Sequence, residues 1–269
     1  MNSNDLLSDC RSMRRHIAST LYACGGGHYG GSLSVVEILA VLCRDFVFSE
    51  SGKVGRDKLI LSKGHAAVAF YAALAQFDQL DPEQLSRYGT FQSGLEGHPD
   101  MLATPNVDFS TGSLGQGLSV GVGMALALRE TGRHIWVVLG DGECQEGQIW
   151  EAAILAARCR ISNLTAIVDM NGSQEFGFAQ SPDSPQVPIN NTAKVWEAFG
   201  WHVEEVDGHD VAALHAAFSA AVSQTSKPAV VLANTRKGAG VEVFERLPTE
   251  YHCATLTQEQ HLEIMKELS

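Results

Sequence analysis

Apolar residues along this chain recur in two patterns: blocks with three- and four-residue spacing, and short continuous apolar runs. The first pattern predicts an amphipathic helix over 5–22 and a second helix with Ser32 as its N-cap, reaching Phe46. Lys58–Leu61 reads as a short strand, followed by an alanine-rich helix from His65 to Phe77. Asp81 and Pro82 cap another short helix. A long loop over 89–114 then leads to the glycine-rich turn Thr111–Gly117, which opens a helix ending near Thr131. From there the pattern is regular. Strands are predicted at 134–139, 164–170, 201–206 and 229–234, and helices at 146–160, 190–199 and 210–222. A loop holding Pro182, Pro185 and Pro188 interrupts the series. The last helix, 257–268, starts at Thr257 with Gln260 three residues on, the pattern of a capping box.

The predicted strands are continuous apolar runs rather than alternating ones. That points to an α/β fold: a doubly wound, mostly parallel sheet with helices on both faces. With 269 residues, 45% of them hydrophobic, the chain can bury a sizeable core. No internal repeat or low-complexity linker divides it, so one domain over 1–269 is expected.

Charge narrows the function classes. A net charge of −12 argues against a nucleic-acid surface, and the basic residues are too scattered for a membrane patch. Any phosphate ligand must be met locally, by a metal, by backbone N–H groups or by another chain. Met1–His16 has no apolar core and does not read as a secretory signal. The longest apolar run, Ala66–Ala75, is far short of the roughly 20 residues that span a bilayer. The six cysteines include no CxxC pair. A cytoplasmic location with reduced thiols is expected.

The candidate chemistry sits where the regular pattern begins. In open α/β sheets, ligands bind outside the carboxyl ends of the strands. Asp141 stands at such an end, between Gly140 and Gly142, whose lack of side chains lets the backbone approach a ligand closely. The next strand ends in Asp169-Met-Asn171-Gly-Ser173, placing Asn171 30 residues after Asp141, across one βαβ unit. A carboxylate, an amide oxygen and a loop carbonyl suit a hard cation such as Mg2+. The N-terminus of the intervening helix adds partial positive charge for phosphate oxygens. A lone GDG is common in turns and Asn171-Gly172 alone reads as a turn; their βαβ spacing is what lifts the pair above coincidence.

GDG, about 30 residues, then Asn resembles the fingerprint of thiamine diphosphate enzymes, and the fuller context resembles transketolases. "GGHYGGSLSVVEILAVL" at 26–42, "SKGH" at 62–65, "EGHP" at 96–99, "STGSLGQGLSVGVGMA" at 110–125 and "GDGECQEGQIWEAA" at 140–153 follow that family's order. They are similar to its N-terminal, diphosphate-binding half. The resemblance implies thiamine diphosphate and Mg2+ or Ca2+ as cofactors. Asp141 and Asn171 are implied as metal ligands with the carbonyl of Ser173. Gly142 is implied to lie against the diphosphate, and His65 to hydrogen-bond it. Gly112 and Leu114 are implied to touch the aminopyrimidine, and Glu146 to match a buried acid that links two active sites across a dimer.

Ten histidines are present, most of them expected at the surface. His28, His65 and His98 each lie beside glycine in a predicted loop, where a neutral imidazole can face a polar ligand. The resemblance implies that these three, with His252 in "KGAGVEVFERLPTEYHCA", line the thiazolium and sugar hydroxyls. The implied reaction moves a two-carbon ketol unit from a ketose, phosphorylated or not, to an aldose. The residues of the second α/β domain that such enzymes need are expected on a separate C-terminal subunit, in an α2β2 assembly. Three other readings compete. The α subunit of a 2-oxo acid dehydrogenase shares GDG and Asn but leaves SKGH, EGHP and TGSLGQG unexplained. A non-catalytic regulatory subunit leaves the intact Asp141, Asn171 and histidine set unexplained. A dinucleotide-binding domain lacks its GxGxxG between first strand and helix.

Overall fold

The computed structural model describes residues 3–49, 55–174 and 191–269. Five strands, β1 (Lys58–Leu61), β2 (Ile135–Gly140), β3 (Leu164–Met170), β4 (His202–Asp207) and β5 (Ala229–Asn234), form one sheet in the order β1-β2-β3-β5-β4. All four pairings are parallel. The helices are α1 (Ser3–Ala23), α2 (Tyr29–Leu33), α3 (Val36–Val41), α4 (Ala67–Gln76), α5 (Gln116–Ala127), α6 (Gly147–Arg158), α7 (Thr192–Ala198), α8 (Val211–Val222), α9 (Glu242–Arg246) and α10 (Gln258–Glu267).

Alternation of side chains along the strands splits the core in two. Leu59, Leu61, Trp136, Val138, Ile167 and Val231 point to one face, where α1, α3, α4 and α8 cover them. Ile60, Val137, Leu139, Ala166, Val168 and Val230 point to the other, under α5, α6 and α7. The doubly wound expectation is met. Each such aliphatic side chain, taken from water to full burial, contributes roughly 1.5–3 kcal/mol.

Three expectations need correction. Ser32 is not an N-cap: it is fully buried inside α2, and the chain kinks before α3 begins at Val36 and ends in a π-helical turn over Leu42–Val47. Gly30 and Gly31 allow a tight buried turn of helix where the sequence pattern reads as a loop. β4, at one edge of the sheet, is not a buried apolar run; His202, Glu204 and Asp207 are partly or fully exposed. The five-residue α9 has no counterpart in the sequence reading, being too short to show a period. The capping box at Thr257 and Gln260 forms in both directions. The expected proline loop at 175–188 lies outside the described residues. All six cysteines are free thiols. Among the described residues no helix is long and apolar enough to cross a membrane.

Candidate active site

The strand ends position the site. β2 and β3 are hydrogen-bonded neighbours, with Gly140 opposite Asp169, so Asp141 and Asn171 emerge side by side at the carboxyl edge. The Asp141 carboxylate is 8% exposed and is held by two backbone N–H groups, from Gly142 at 2.8 Å and Gly172 at 3.0 Å. Burial, then the nearby Asp169 carboxylate, push its pKa up to about 6. Such a group favours a cation beside it. Asn171 donates through Nδ2 to Asp169 at 2.9 Å, which turns its Oδ1 the other way, where it accepts from the Ser173 N–H at 3.1 Å.

A cavity of about 290 Å3 opens over these strand ends. Its walls include His28, His65, Gly112, Leu114, Asp141 and Gly142. Glu146, Asn171, Ser173, Lys237 and His252 also face it. Segments distant in sequence thus converge on one cavity. Three imidazoles cluster there: His28 lies 5.5 Å from His65 and 5.3 Å from His252 between ring centroids, and His65 lies 6.2 Å from His252. Burial, followed by the Lys63 charge and the neighbouring histidines, pushes the His65 pKa down to about 2. His65 is therefore neutral near pH 7, with one ring nitrogen donating and one accepting.

Two expected residues sit differently. His98 is exposed and stands outside the cavity wall, its ring against Gly112; a Cβ on Gly112 would come within 3.3 Å of it. Glu146, expected as a buried acid, is exposed at the start of α6 in the single chain. Gly115, at φ +84°, starts α5 beside it, and a Cβ there would lie 2.9 Å from the Glu146 Cβ.

Four charged groups at the site escaped the sequence reading. Lys63, 1% exposed, pairs with the fully buried Asp169 at 2.5 Å and donates to the Gly31 carbonyl at 3.0 Å. Burial works to raise the Asp169 pKa, but the Lys63 charge and hydrogen bond, with Thr235 and Ser34, hold it below the usual carboxylate range. Lys237 donates to Ser173 Oγ at 3.0 Å and lies 2.7 Å from His252 Nδ1. Glu143, buried, forms part of the cavity floor. Lys63 and Glu143 stand inside the quoted motifs, and a charged residue flanked by buried apolar runs was the available signal. Among the described residues, no three His, Cys, Asp or Glu side chains converge as a metal cage.

Comparison with known proteins places this arrangement. The family model for the transketolase thiamine diphosphate binding domain matches residues 9–268. A 6-deoxy-6-sulfo-D-fructose transketolase subunit from Clostridium sp. (strain MSTE9) is 38% identical, over 98% of this chain and 96% of its own length. An apulose-4-phosphate transketolase subunit from Actinobacillus succinogenes is 37% identical, over 94% of this chain and 92% of its own. Among solved structures, the transketolase of Campylobacter jejuni superposes with a TM-score of 0.86 at 27% identity, covering 100% of this chain but 43% of that one. The chain therefore spans at least 92% of the length of these two transketolase subunits and 43% of the Campylobacter jejuni transketolase chain. By model, relatives and fold together, this chain belongs to the transketolase family, as a transferase-type subunit built on its thiamine diphosphate-binding domain.

Proposed function

We propose that this chain holds Mg–thiamine diphosphate at the strand-end cavity and, with a separate C-terminal subunit, transfers a two-carbon ketol unit from a ketose to an aldose. The observation that carries the reading is the convergence of Asp141, Asn171, Ser173, His65 and Lys237 on one cavity at the carboxyl ends of β2 and β3. The donor set fits the group. One buried carboxylate with a raised pKa, one amide oxygen and one loop carbonyl form a hard oxygen site that leaves positions for phosphate oxygens. Gly142 presents backbone against a diphosphate with no side chain in the way. The Lys237 ammonium offsets phosphate charge that a −12 chain otherwise repels.

The thiazolium ring supplies the carbanion chemistry when bound. The chain's own residues bind, orient and move protons. Neutral His65 donates one N–H to a diphosphate oxygen without adding charge. His28 and His252 hold the hydroxyl protons of the sugar, each worth about 10²–10⁴ in rate if it acts as general acid or base. His98, at the edge, serves the sugar end. Glu146, exposed in the single chain, is available to a second copy in an α2β2 assembly. The two relatives' names each carry an acidic substituent, sulfo or phosphate, and an acidic ketose is the substrate class proposed here.

Asp141→Ala tests the metal assignment. The variant is expected to fold and to lose Mg2+-dependent binding of thiamine diphosphate in calorimetric titration with the partner chain present. Unchanged affinity overturns the assignment. The split-subunit reading predicts no ketol transfer by the purified chain alone and Mg2+-dependent transfer after its partner is added. Robust transfer by the chain alone, free of host transketolase, overturns it.

A further inference from the structure

Glu143 lies at the floor of the cavity, 2% exposed, and the chemistry above does not use it. Its oxygens face three donors from three separate segments. Oε1 accepts from Ser62 Oγ, just after β1, and from the Gly115 N–H at 2.9 Å, just before α5. Oε2 accepts from the Gly140 N–H at 3.1 Å, at the tip of β2. Ser62 belongs to the segment carrying His65, Gly115 to the turn carrying Gly112 and Leu114, and Gly140 to the turn carrying Asp141 and Gly142. The turn over 111–115 is an arch held at both feet: Thr111 Oγ1 donates to the Leu61 carbonyl at 2.7 Å, and Gly115 reaches Glu143. The segments are also in direct contact, since a Cβ on Gly64 would come within 2.8 Å of Thr111 Oγ1 and 2.9 Å of the Gly112 nitrogen.

We propose that Glu143 is a positioning residue that ties these three segments together, fixing the 111–115 arch over the cavity relative to the tips of β1 and β2. The inference rests on the function proposed above for what the arch contacts, but not for the tie itself. The chemistry of the tie is selective. A carboxylate has acceptor lone pairs for all three donors and brings no proton of its own. A glutamine in the same place turns an N–H toward at least one of the two backbone N–H groups, whichever way its amide is set. An aspartate keeps the charge but is one methylene too short to reach Ser62, Gly115 and Gly140 together. Either change leaves a buried donor without its partner, and the cost falls on the arch.

Glu143→Gln and Glu143→Asp test this by hydrogen–deuterium exchange of the cofactor-free chain, followed by mass spectrometry. Peptides spanning 111–117 are expected to exchange about tenfold faster or more, while β4 and α8 exchange as in the parent chain. In calorimetry with the partner chain, thiamine diphosphate is expected to bind about tenfold more weakly, with a smaller change for inorganic pyrophosphate, which has no ring for the arch to hold. Unchanged exchange over 111–117 overturns the proposal. So does a uniform rise across all strands, the mark of a role in general stability. If the parent chain with its partner binds no thiamine diphosphate, the proposed function falls, and the exchange measurement still decides the role of Glu143.

Discussion

The two ends of the sheet use the same residue types to different effect. At the amino ends, Asp57 is buried and accepts from the His134 N–H at 2.9 Å and the Trp136 indole at 3.3 Å, while His134 Nε2 meets Thr165 Oγ1 at 2.8 Å. Asp108 accepts from Arg56, from Lys58 at 2.8 Å and from the Leu59 N–H at 2.9 Å. Each of these bonds closes onto the chain itself, at or beside a strand start. At the carboxyl ends, Asp169 is matched in the same way, by Lys63, Ser34 and Asn171. Asp141, on the neighbouring strand, meets two backbone N–H groups, has its pKa raised, and borders a cavity. Counting acids does not separate scaffold from site. What separates them is that Asp141 borders the cavity with its pKa raised, whereas Asp108 and Asp169 each have a cation of the chain in contact.

The largest expected effect breaks the matched pair. Lys63→Met leaves the Asp169 charge buried and uncompensated, and about 3–5 kcal/mol of stability should be lost in urea unfolding. A change under about 1 kcal/mol would show that Asp169 takes up a proton instead. At the other end, Asp57→Asn turns an N–H toward a donor and should cost about 1–3 kcal/mol. Cofactor affinity measured by calorimetry should not move; if it does, the two ends are coupled and the contrast fails. His65→Ala should do the reverse. We expect affinity for thiamine diphosphate to fall by more than about tenfold, on the order of 1.4 kcal/mol or more. A scaffold histidine would instead lower the melting temperature and leave affinity alone.

The smallest test concerns pH. The His65 pKa is depressed in the folded chain to about 2, against an ordinary value of 6.5. Between these values the unfolded chain binds the proton and the folded chain does not. Stability attributable to His65 is therefore full above pH 6.5 and is lost as pH falls below it. The slope approaches about 1.4 kcal/mol per pH unit. The stability difference between the parent chain and His65→Ala, followed from pH 7.5 to 5 by urea unfolding, should shift with that sign. A flat difference would mean that the folded site admits the proton.

Much of this was readable in the sequence because local chemistry dictated it. The continuous apolar runs of β2 and β3 read as buried strands, and their spacing puts Asp141 and Asn171 at one edge of the sheet. The Thr257 capping box is likewise a four-residue matter. Failures came where the deciding partner is remote. Lys63 reads as a surface lysine until Asp169, 106 residues away, is seen beside it. Glu143 reads as one more acid in an acidic chain until Ser62 and Gly115 are seen around it. Ser32 has the residue type of a cap, but Gly30 and Gly31 let the helix begin before it. β1 and β4 are both edge strands, yet β1 is buried and β4 is not, a difference of tertiary cover that periodicity along a single strand does not encode.

That edge position has a consequence for how the protein behaves in a crowded solution. Among the described residues no strand pairs with the outer side of β4, which leaves an edge on which another strand can add. Its sequence, His-Val-Glu-Glu-Val-Asp, puts carboxylates along that open border. Two such edges approaching each other bring like charges together before their backbones can pair. Acidification or high salt removes that repulsion, and the onset of turbidity under those conditions, advanced by Glu204→Val, would report the guard that this strand keeps.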